Sequence, residues 1–189
     1  MPFLNVEIKA RLDGKNKNSA VGQPKCPNAD FIRDYLRKHH ADFKGIDIQT
    51  DTYFNVQQGR LKLREGDIEN NLIFYERENQ SGPKSSHFHL IKVGDPQGLK
   101  EVLEKSIGVK VVVKKKREIY YIRNVKFHID DVPGLGSFVE IEAGNVFADF
   151  SKEKLQKQCD FYVKEFGIRD EDLISESYSD MLLKKEISG

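Results

Sequence analysis

The 189-residue sequence predicts an α+β fold, an eight-stranded antiparallel β-barrel or tunnel with a charged interior and helices packed outside. Polar and apolar residues alternate along many segments, as is typical of strands with two unlike faces. Turn-forming sequences such as Ser81-Gly82-Pro83 and Pro133-Gly134-Leu135-Gly136 separate several of these segments. Short turns of this kind join antiparallel strands, so the sheet is predicted to be antiparallel.

The clearest strand pattern begins at Arg60. Arg60, Lys62 and Arg64 lie on one face of a predicted strand, and the leucines between them lie on the other. The same parity appears in the N-terminal segment, where Glu7 and Lys9 share a face. Strands are predicted at about residues 4–12, 49–56, 60–65, 71–79, 85–93, 109–119, 120–131 and 137–143.

Four helices are predicted between and after these strands. The first begins near Asn28, a suitable N-cap, and the second follows Pro96. Apolar residues at helical spacing predict the third over about residues 149–166 and the fourth over about residues 171–186. The polar segment 13–27 is predicted to be a loop or short linker.

Composition limits the class of protein. With 31 Lys+Arg and 30 Asp+Glu, the formal charge is +1, which argues against nucleic-acid or membrane partners because these usually select a net basic surface. Residues 1–189 are predicted to form one domain, as a monomer or homodimer.

Cys26 and Cys159 form no CxxC motif and are interpreted as reduced thiols of a cytoplasmic protein. The N-terminal segment lacks a long apolar run, so neither a signal peptide nor a membrane span is predicted.

Ions of both signs share the polar faces of the strands. If those faces point into an eight-stranded barrel, they line a tunnel for one small ligand, whereas a flat sheet with a charged solvent face fits the alternation equally well. Clustered Lys and Arg favour a polyanion, and Arg matches phosphate oxygens. Glu140 and Glu142, with Asp130 and Glu7, are an all-oxygen set suited to Mg²⁺ or Mn²⁺. A basic wall beside an acidic corner is suited to a metal–polyphosphate and to phosphoryl chemistry.

Several segments resemble motifs of the CYTH superfamily, the triphosphate tunnel metalloenzymes, and look closest to class IV adenylyl cyclases. These segments are NVEIK (5–9), QTDTYF (49–54), GRLKLRE (59–65), YERE (75–78), VKKKRE (113–118), FHIDDVPGLGSFVEIEA (127–143) and SYSDMLL (177–183). The resemblance implies an eight-stranded antiparallel tunnel that binds a small-molecule triphosphate with one or two divalent metal ions.

The resemblance also implies the site residues. The basic residues that resemble the phosphate-binding set are Lys9, Lys62, Arg64, Arg77, Lys115 and Arg117. The carboxylates that resemble the metal ligands for Mg²⁺ or Mn²⁺ are Glu7, Glu140 and Glu142, with Asp130 near them. Catalytic roles are expected for Glu7, Lys9 and Arg64. Asn5 replaces the first glutamate of the family motif. Because an amide cannot act as a carboxylate base, either the binding of a second metal ion or the activation of the attacking water is expected to be weaker.

Three functions follow from this set. Metal-dependent hydrolysis of tripolyphosphate, a nucleoside triphosphate or thiamine triphosphate is favoured, because it requires only water. A class IV adenylyl cyclase would use the same residues to convert ATP to cyclic AMP and pyrophosphate. A non-catalytic polyphosphate or nucleotide binder is the third, because of Asn5. Two further residues are interpreted structurally: His128 as a hydrogen-bonded spacer and Tyr178 as a helix packing position.

Overall fold

The computed structural model describes residues 3–12, 28–76, 84–145 and 150–188. The eight strands are β1 (Phe3–Leu12), β2 (Asp42–Phe54), β3 (Arg60–Glu65), β4 (Asn71–Glu76), β5 (Lys84–Lys92), β6 (Val109–Ile122), β7 (Val125–Val132) and β8 (Gly136–Gly144). The four helices are α1 (Ala29–Lys38), α2 (Pro96–Ile107), α3 (Lys152–Glu165) and α4 (Tyr178–Ser188), and a 3₁₀ turn spans Asp170–Asp172.

The strands close into an antiparallel barrel in the order β1-β5-β4-β3-β2-β6-β7-β8. Closure occurs at β1, which pairs with β5 on one side and with β8 on the other. In the second pairing Glu7 lies opposite Glu142, and Lys9 lies opposite Glu140. The predicted eight-stranded α+β architecture is confirmed, and the flat-sheet alternative is wrong.

The buried hydrophobic residues form two clusters, and the larger cluster lies outside the barrel wall. Val6, Ile8 and Ala10 of β1 point outward and are fully or almost fully buried. The helical part of this cluster includes Ile32 and Leu36 of α1, with Leu155 and Cys159 of α3. Because the outward faces of β1, β7 and β8 supply the apolar packing, their inward faces are available for charged side chains.

Three predicted strand boundaries are wrong: the start of β2, the end of β6, and the start of β7, which is Val125 and not residue 120. β2 begins at Asp42, well before residue 49, and its first half has an unusual polarity: Ile46 and Ile48 are exposed on the outer face, whereas Asp47 is buried on the inner face. β6 continues to Ile122, and the turn to β7 contains Arg123 with φ 55°. This turn has neither Gly nor Pro, and Asn124 is its one typical turn residue, so the sequence signal for the turn is weak.

The predicted start of the fourth helix, near residue 171, is also wrong. Asp170–Asp172 form a separate 3₁₀ turn, and α4 begins at Tyr178. Between them Leu173 bridges to Ala10, and the backbone N–H of Ile174 donates to the carbonyl oxygen of Lys9 at 2.9 Å. Pairing with β1 therefore replaces helix formation in this segment.

Cys159 is a buried free thiol on α3, and its Sγ donates to the carbonyl oxygen of Val6 at 3.3 Å. Burial raises the pKa of this thiol to about 12. It is therefore a packing group and not a reactive thiolate. Cys26 lies outside the described residues. No helix in the described ranges has both the length and the apolar character needed to cross a membrane.

Candidate functional site

The barrel encloses a cavity of about 150 Å³. Among the described residues, its charged wall contains six cations and five carboxylates: Lys9, Lys62, Arg64, Lys115, Arg117 and Lys126, with Glu7, Asp51, Glu69, Glu140 and Glu142. Most of the residues that the sequence patterns indicated are thus in one place. Arg77 lies outside the described residues, and Asp130 is buried behind Arg117.

Asp51 on β2 holds three of the cations. Its Oδ2 accepts hydrogen bonds from Lys62 Nζ at 2.9 Å and Lys115 Nζ at 2.7 Å. Arg64 binds both oxygens, with Nε at 2.8 Å from Oδ1 and Nη2 at 3.0 Å from Oδ2. Burial opposes ionisation of Asp51, but Arg64, Lys115 and Lys62 outweigh it and lower the pKa well below its ordinary value. Asp51 is thus a fixed negative charge at the centre of the cationic wall.

A second ionic group is centred on Glu140 of β8. Its Oε1 lies 3.1 Å from Lys9 Nζ, and its Oε2 accepts from Arg117 Nη2 at 2.7 Å and lies 3.2 Å from His128 Nδ1. Burial opposes ionisation of Glu140, but Arg117 and Lys9 lower its pKa well below the ordinary value. His128 Nε2 is buried and has no hydrogen-bond partner in the described part of the chain.

The sequence predicts an acidic corner beside a basic wall. For Glu140 and Asp130 this separation is wrong, because both carboxylates pair with cations. Glu140 pairs with cations as described, and Asp130 accepts from Arg117 Nε at 2.6 Å and from the Tyr178 hydroxyl at 2.8 Å. Where side chains are buried, opposite charges pair because an unpaired buried ion is costly. Both oxygens of Asp130 accept hydrogen bonds from Arg117 or Tyr178 in this arrangement. A role for Asp130 as a metal ligand stays a prediction.

Glu7 and Glu142 face the same cavity from directly opposed positions on β1 and β8. Asn5 Nδ2 donates to Glu142 Oε1 at 2.7 Å. Carboxylate oxygens are the ligands that Mg²⁺ and Mn²⁺ prefer, so this pair fits a hard divalent ion in its donor chemistry, with Glu140 adjacent on β8. Over the described ranges, no three His, Cys, Asp or Glu side chains are already grouped closely enough to hold a metal.

Glu69 and Lys126 belong to the charged wall although the sequence assigned them no role. Glu69 lies in the loop between β3 and β4 and accepts from Arg64 Nη1 at 2.8 Å and Lys126 Nζ at 2.7 Å. Asp47 fixes this loop by accepting from the backbone N–H groups of Ile68 at 2.9 Å and Glu69 at 3.2 Å. Lys126 alternates with His128 and Asp130, which indicates a shared face, but no local pattern indicates that a loop carboxylate reaches it.

Tyr178 is part of the cavity wall at the start of α4, and its interpretation as only a packing position is wrong. Its hydroxyl donates to Asp130, and its ring lies 3.9 Å from Lys9 Nζ. A cation over an aromatic face is attracted to it. Tyr178 therefore links both Lys9 and the Arg117–Asp130 pair to the C-terminal helix.

Tyr178→Phe is expected to lower the free energy of unfolding by about 1.5–3 kcal/mol, because Asp130 loses a hydrogen bond in a buried position. Chemical denaturation measures the change. Tyr120→Phe is the matched control, since its hydroxyl donates to Glu118 at 2.8 Å in a less buried place. Equal losses in the two variants would contradict a special contribution of the Tyr178 hydroxyl.

One side of the cavity is apolar. β4 and β5 contribute Ile73, Phe88 and Leu90, and the hydroxyls of Tyr53 and Tyr75 lie 3.5 Å apart beside them. The charged residues listed above come from the other strands and from the β3–β4 loop. A ligand in this cavity therefore meets ionic groups on one side and apolar or aromatic groups on the other.

The sequence matches the CYTH domain family model over residues 4–178. It is 30% identical over 190 residues to a protein named putative adenylate cyclase MJ0240 of Methanocaldococcus jannaschii, covering 95% of this chain and 98% of that protein. The PH1012 protein from Pyrococcus horikoshii OT3 superposes with a TM-score of 0.74 at 24% identity, over 93% of this chain and 98% of that one. A putative adenylate cyclase from Vibrio parahaemolyticus superposes with a TM-score of 0.70 at 17% identity, over 96% and 99%. These two structural likenesses concern the fold alone.

Proposed function

This chain belongs to the CYTH domain family, and from that membership and the contents of its barrel we propose that it is a divalent-metal-dependent enzyme that hydrolyses a small triphosphate. The observation that carries the proposal is the grouping of six cations and five carboxylates around one enclosed cavity. The proposed substrates are tripolyphosphate, a nucleoside triphosphate or thiamine triphosphate. The proposed location of the protein is the cytoplasm. Clustered cations of this kind favour a phosphate polyanion.

The charge balance of the wall supports a metal-bound substrate. The cations are almost matched by carboxylates, so a free polyanion would bring excess negative charge into a partly desolvated space. A triphosphate with Mg²⁺ or Mn²⁺ bound carries much less net charge. Glu7 and Glu142 are the proposed ligands, with Glu140 beside them, and a bound ion would neutralise charge on the phosphoryl oxygens.

The roles of the basic residues follow from their positions. Lys62, Arg64 and Lys115 form one array around Asp51 and are proposed to bind phosphate oxygens, as is Arg77 outside the described residues. Lys9 and Arg117 approach from the Glu140 side. In the proposed reaction a water oxygen attacks phosphorus, the bond to the leaving phosphate oxygen breaks, and the water releases a proton. Lys9 and Arg64 would neutralise the charge that develops at the phosphoryl group, and Glu7 would hold the ion.

Adenylyl cyclase activity is the second candidate, because the apolar wall of Ile73, Phe88 and Leu90 could contact the organic part of ATP. The name of the 30% identical relative points the same way. In that reaction the ribose 3′-hydroxyl attacks the α-phosphorus and pyrophosphate leaves. A third candidate is binding without turnover, which the replacement of a motif glutamate by Asn5 favours.

The test is incubation of the purified protein with tripolyphosphate, ATP or thiamine triphosphate, with and without Mg²⁺ or Mn²⁺. Metal-dependent phosphate release is the expected result. Cyclic AMP with pyrophosphate would establish the cyclase instead, and saturable binding without product would establish the binder. The proposal is overturned if the protein neither binds nor converts any of the three compounds.

Asn5→Glu tests the departure from the family motif. Asn5 donates to Glu142, so an added carboxylate removes this hydrogen bond and repels Glu142 in the metal-free protein, which is expected to lower its melting temperature. The same carboxylate adds a ligand for a hard cation. Differential scanning fluorimetry should therefore show a larger Mn²⁺-induced rise in melting temperature in the variant than in the wild type. A smaller rise would mean that the ion does not bind beside residue 5.

A further inference from the structure

Asp51 is the carboxylate around which three cations from two other strands assemble. It belongs to β2, whereas Lys62 and Arg64 belong to β3 and Lys115 belongs to β6. All four hydrogen bonds that it accepts from them measure between 2.7 and 3.0 Å. The group is almost completely buried, with Asp51 2% exposed, so these contacts are poorly screened by water.

Asp47 provides an internal comparison, because it is an equally buried carboxylate on the same face of the same strand. It is 0% exposed and accepts from neutral donors: the Gln49 side chain at 2.7 Å and the backbone N–H groups of Ile68 and Glu69. Asp47 therefore holds a loop, whereas Asp51 holds cations. The difference shows that burial of an acid on this face does not by itself gather positive charge.

Lys115 depends most on this arrangement. It is surrounded by other cations: Lys62 and Arg64 from β3 and Arg117 from its own strand. Further charges face the cavity from β1, β7 and β8, and these are Glu7, Lys9, Lys126, His128, Glu140 and Glu142, with Asp130 behind Arg117. Burial lowers the pKa of Lys115, Asp51 opposes this, and the neighbouring cations lower it further, to about 7. Asp51 is the only acid whose carboxylate contacts its ammonium group among the hydrogen bonds of the described residues.

We propose that Asp51 is a positioning residue that favours the charged form of Lys115 and holds Lys62, Arg64 and Lys115 as one array ready to receive phosphate oxygens. Among the hydrogen bonds of the described residues, Lys62 and Lys115 each use one of three ammonium hydrogens on Asp51, which leaves two for a ligand. The array is therefore pre-assembled before the ligand enters, although its cations come from separate strands. The ligand part of this inference rests on the proposed function, whereas the effect of Asp51 on Lys115 does not.

The first measurement needs no ligand. NMR of lysine side chains, with the Lys115 resonance assigned by its loss in Lys115→Arg, follows the protonation of Lys115 against pH. Asp51→Asn is expected to move the titration midpoint at least one pH unit lower, the usual size for loss of an adjacent opposite charge. Asp47→Asn, the matched control, is expected to leave the midpoint unchanged even if it lowers stability. An unchanged midpoint in folded Asp51→Asn would overturn the proposal.

The second measurement is calorimetric binding of tripolyphosphate at pH 6 and pH 8. Asp51→Asn is expected to weaken binding about fivefold more at pH 8 than at pH 6 for a one-unit drop in the Lys115 midpoint, because the charged fraction of Lys115 then falls further below that of the wild type at pH 8 than at pH 6. Asp51→Asn combined with Lys115→Arg should lose this pH dependence, since Arg stays charged. A merely structural effect would weaken binding equally at both pH values and would overturn the role of Lys115.

Two outcomes separate this inference from the proposed function. If wild-type protein does not bind tripolyphosphate, the function proposed for that ligand fails, while the NMR titration still decides whether Asp51 controls Lys115. If Asp51→Asn does not fold, Asp51→Glu replaces it, and because it keeps the negative charge, the titration midpoint of Lys115 should stay close to that of the wild type. A folded Asp51→Glu protein in which Lys115 has become uncharged below pH 6 would overturn the inference.

Discussion

Glu142→Gln is expected to lower turnover of the triphosphate about 100-fold or more, the size commonly found when one electrostatic contact of a transition state is removed. The substitution preserves the size of the side chain and an oxygen that can accept from Asn5. It removes the negative charge that, in the proposed function, holds the divalent ion together with Glu7. Turnover measured over a titration of Mg²⁺ or Mn²⁺ gives the result, and the required metal concentration should rise.

The stability of this variant separates a metal effect from a folding effect. Glu142 is only partly buried and carries no ion pair within 4 Å in the described residues, so the melting temperature should change little. Glu140→Gln should also lose activity, but with a clear loss of stability, because Lys9 and Arg117 both pair with Glu140. Asp131→Asn, at an exposed position of β7, is the control and should alter neither property. Wild-type turnover and metal dependence in Glu142→Gln would rule out Glu142 as a metal ligand.

The inward orientation of most of the charged residues could be predicted because alternation within one strand is a local property. Glu7 and Lys9 share a parity that the sequence displays directly, and the helical apolar stripes indicate which side of β1 is covered. Whether such strands close into a barrel depends on the pairing of β1 with both β5 and β8. Alternation carries no information about that register, so the flat sheet could not be excluded from the pattern.

The contacts of Asp51 could not be predicted for the same reason. Its partners Lys62, Arg64 and Lys115 are 11, 13 and 64 positions away, and β2 is joined to β6 by pairing and not by chain neighbourhood. The segment QTDTYF marked the position as part of a family motif without indicating what its acid contacts. Tyr178 was misread because its helix starts later than apolar spacing suggests, after a segment that pairs with β1.

Arg117→Met is expected to lower the free energy of unfolding by about 3–5 kcal/mol, the usual cost of removing one partner from a buried ion pair. Arg117 donates to both Asp130 and Glu140, and all three side chains are buried. The substitution retains apolar bulk but leaves two carboxylates near each other without their shared cation. Chemical denaturation at neutral pH measures the loss, and Lys116→Met, at the adjacent exposed position, should remain within about 0.5 kcal/mol of the wild type.

In Arg117→Met, the contribution of Asp130 to the pH dependence of stability should change sign. In the wild type, Arg117 outweighs the effect of burial and holds the pKa of Asp130 below its ordinary value, so the stability from this pair is present above about pH 4 and is lost as pH falls further. Without Arg117, burial and the nearby Glu140 raise the pKa of Asp130, and stability is then lost as pH rises through the new value. Acidification from about pH 7 to pH 5 should therefore stabilise Arg117→Met relative to the wild type. The contrary result is a free energy of unfolding of Arg117→Met that differs from that of the wild type by the same amount at both ends of this pH range. That result would show that Asp130 and Glu140 find other partners, and that Arg117 is not the cation that keeps them ionised.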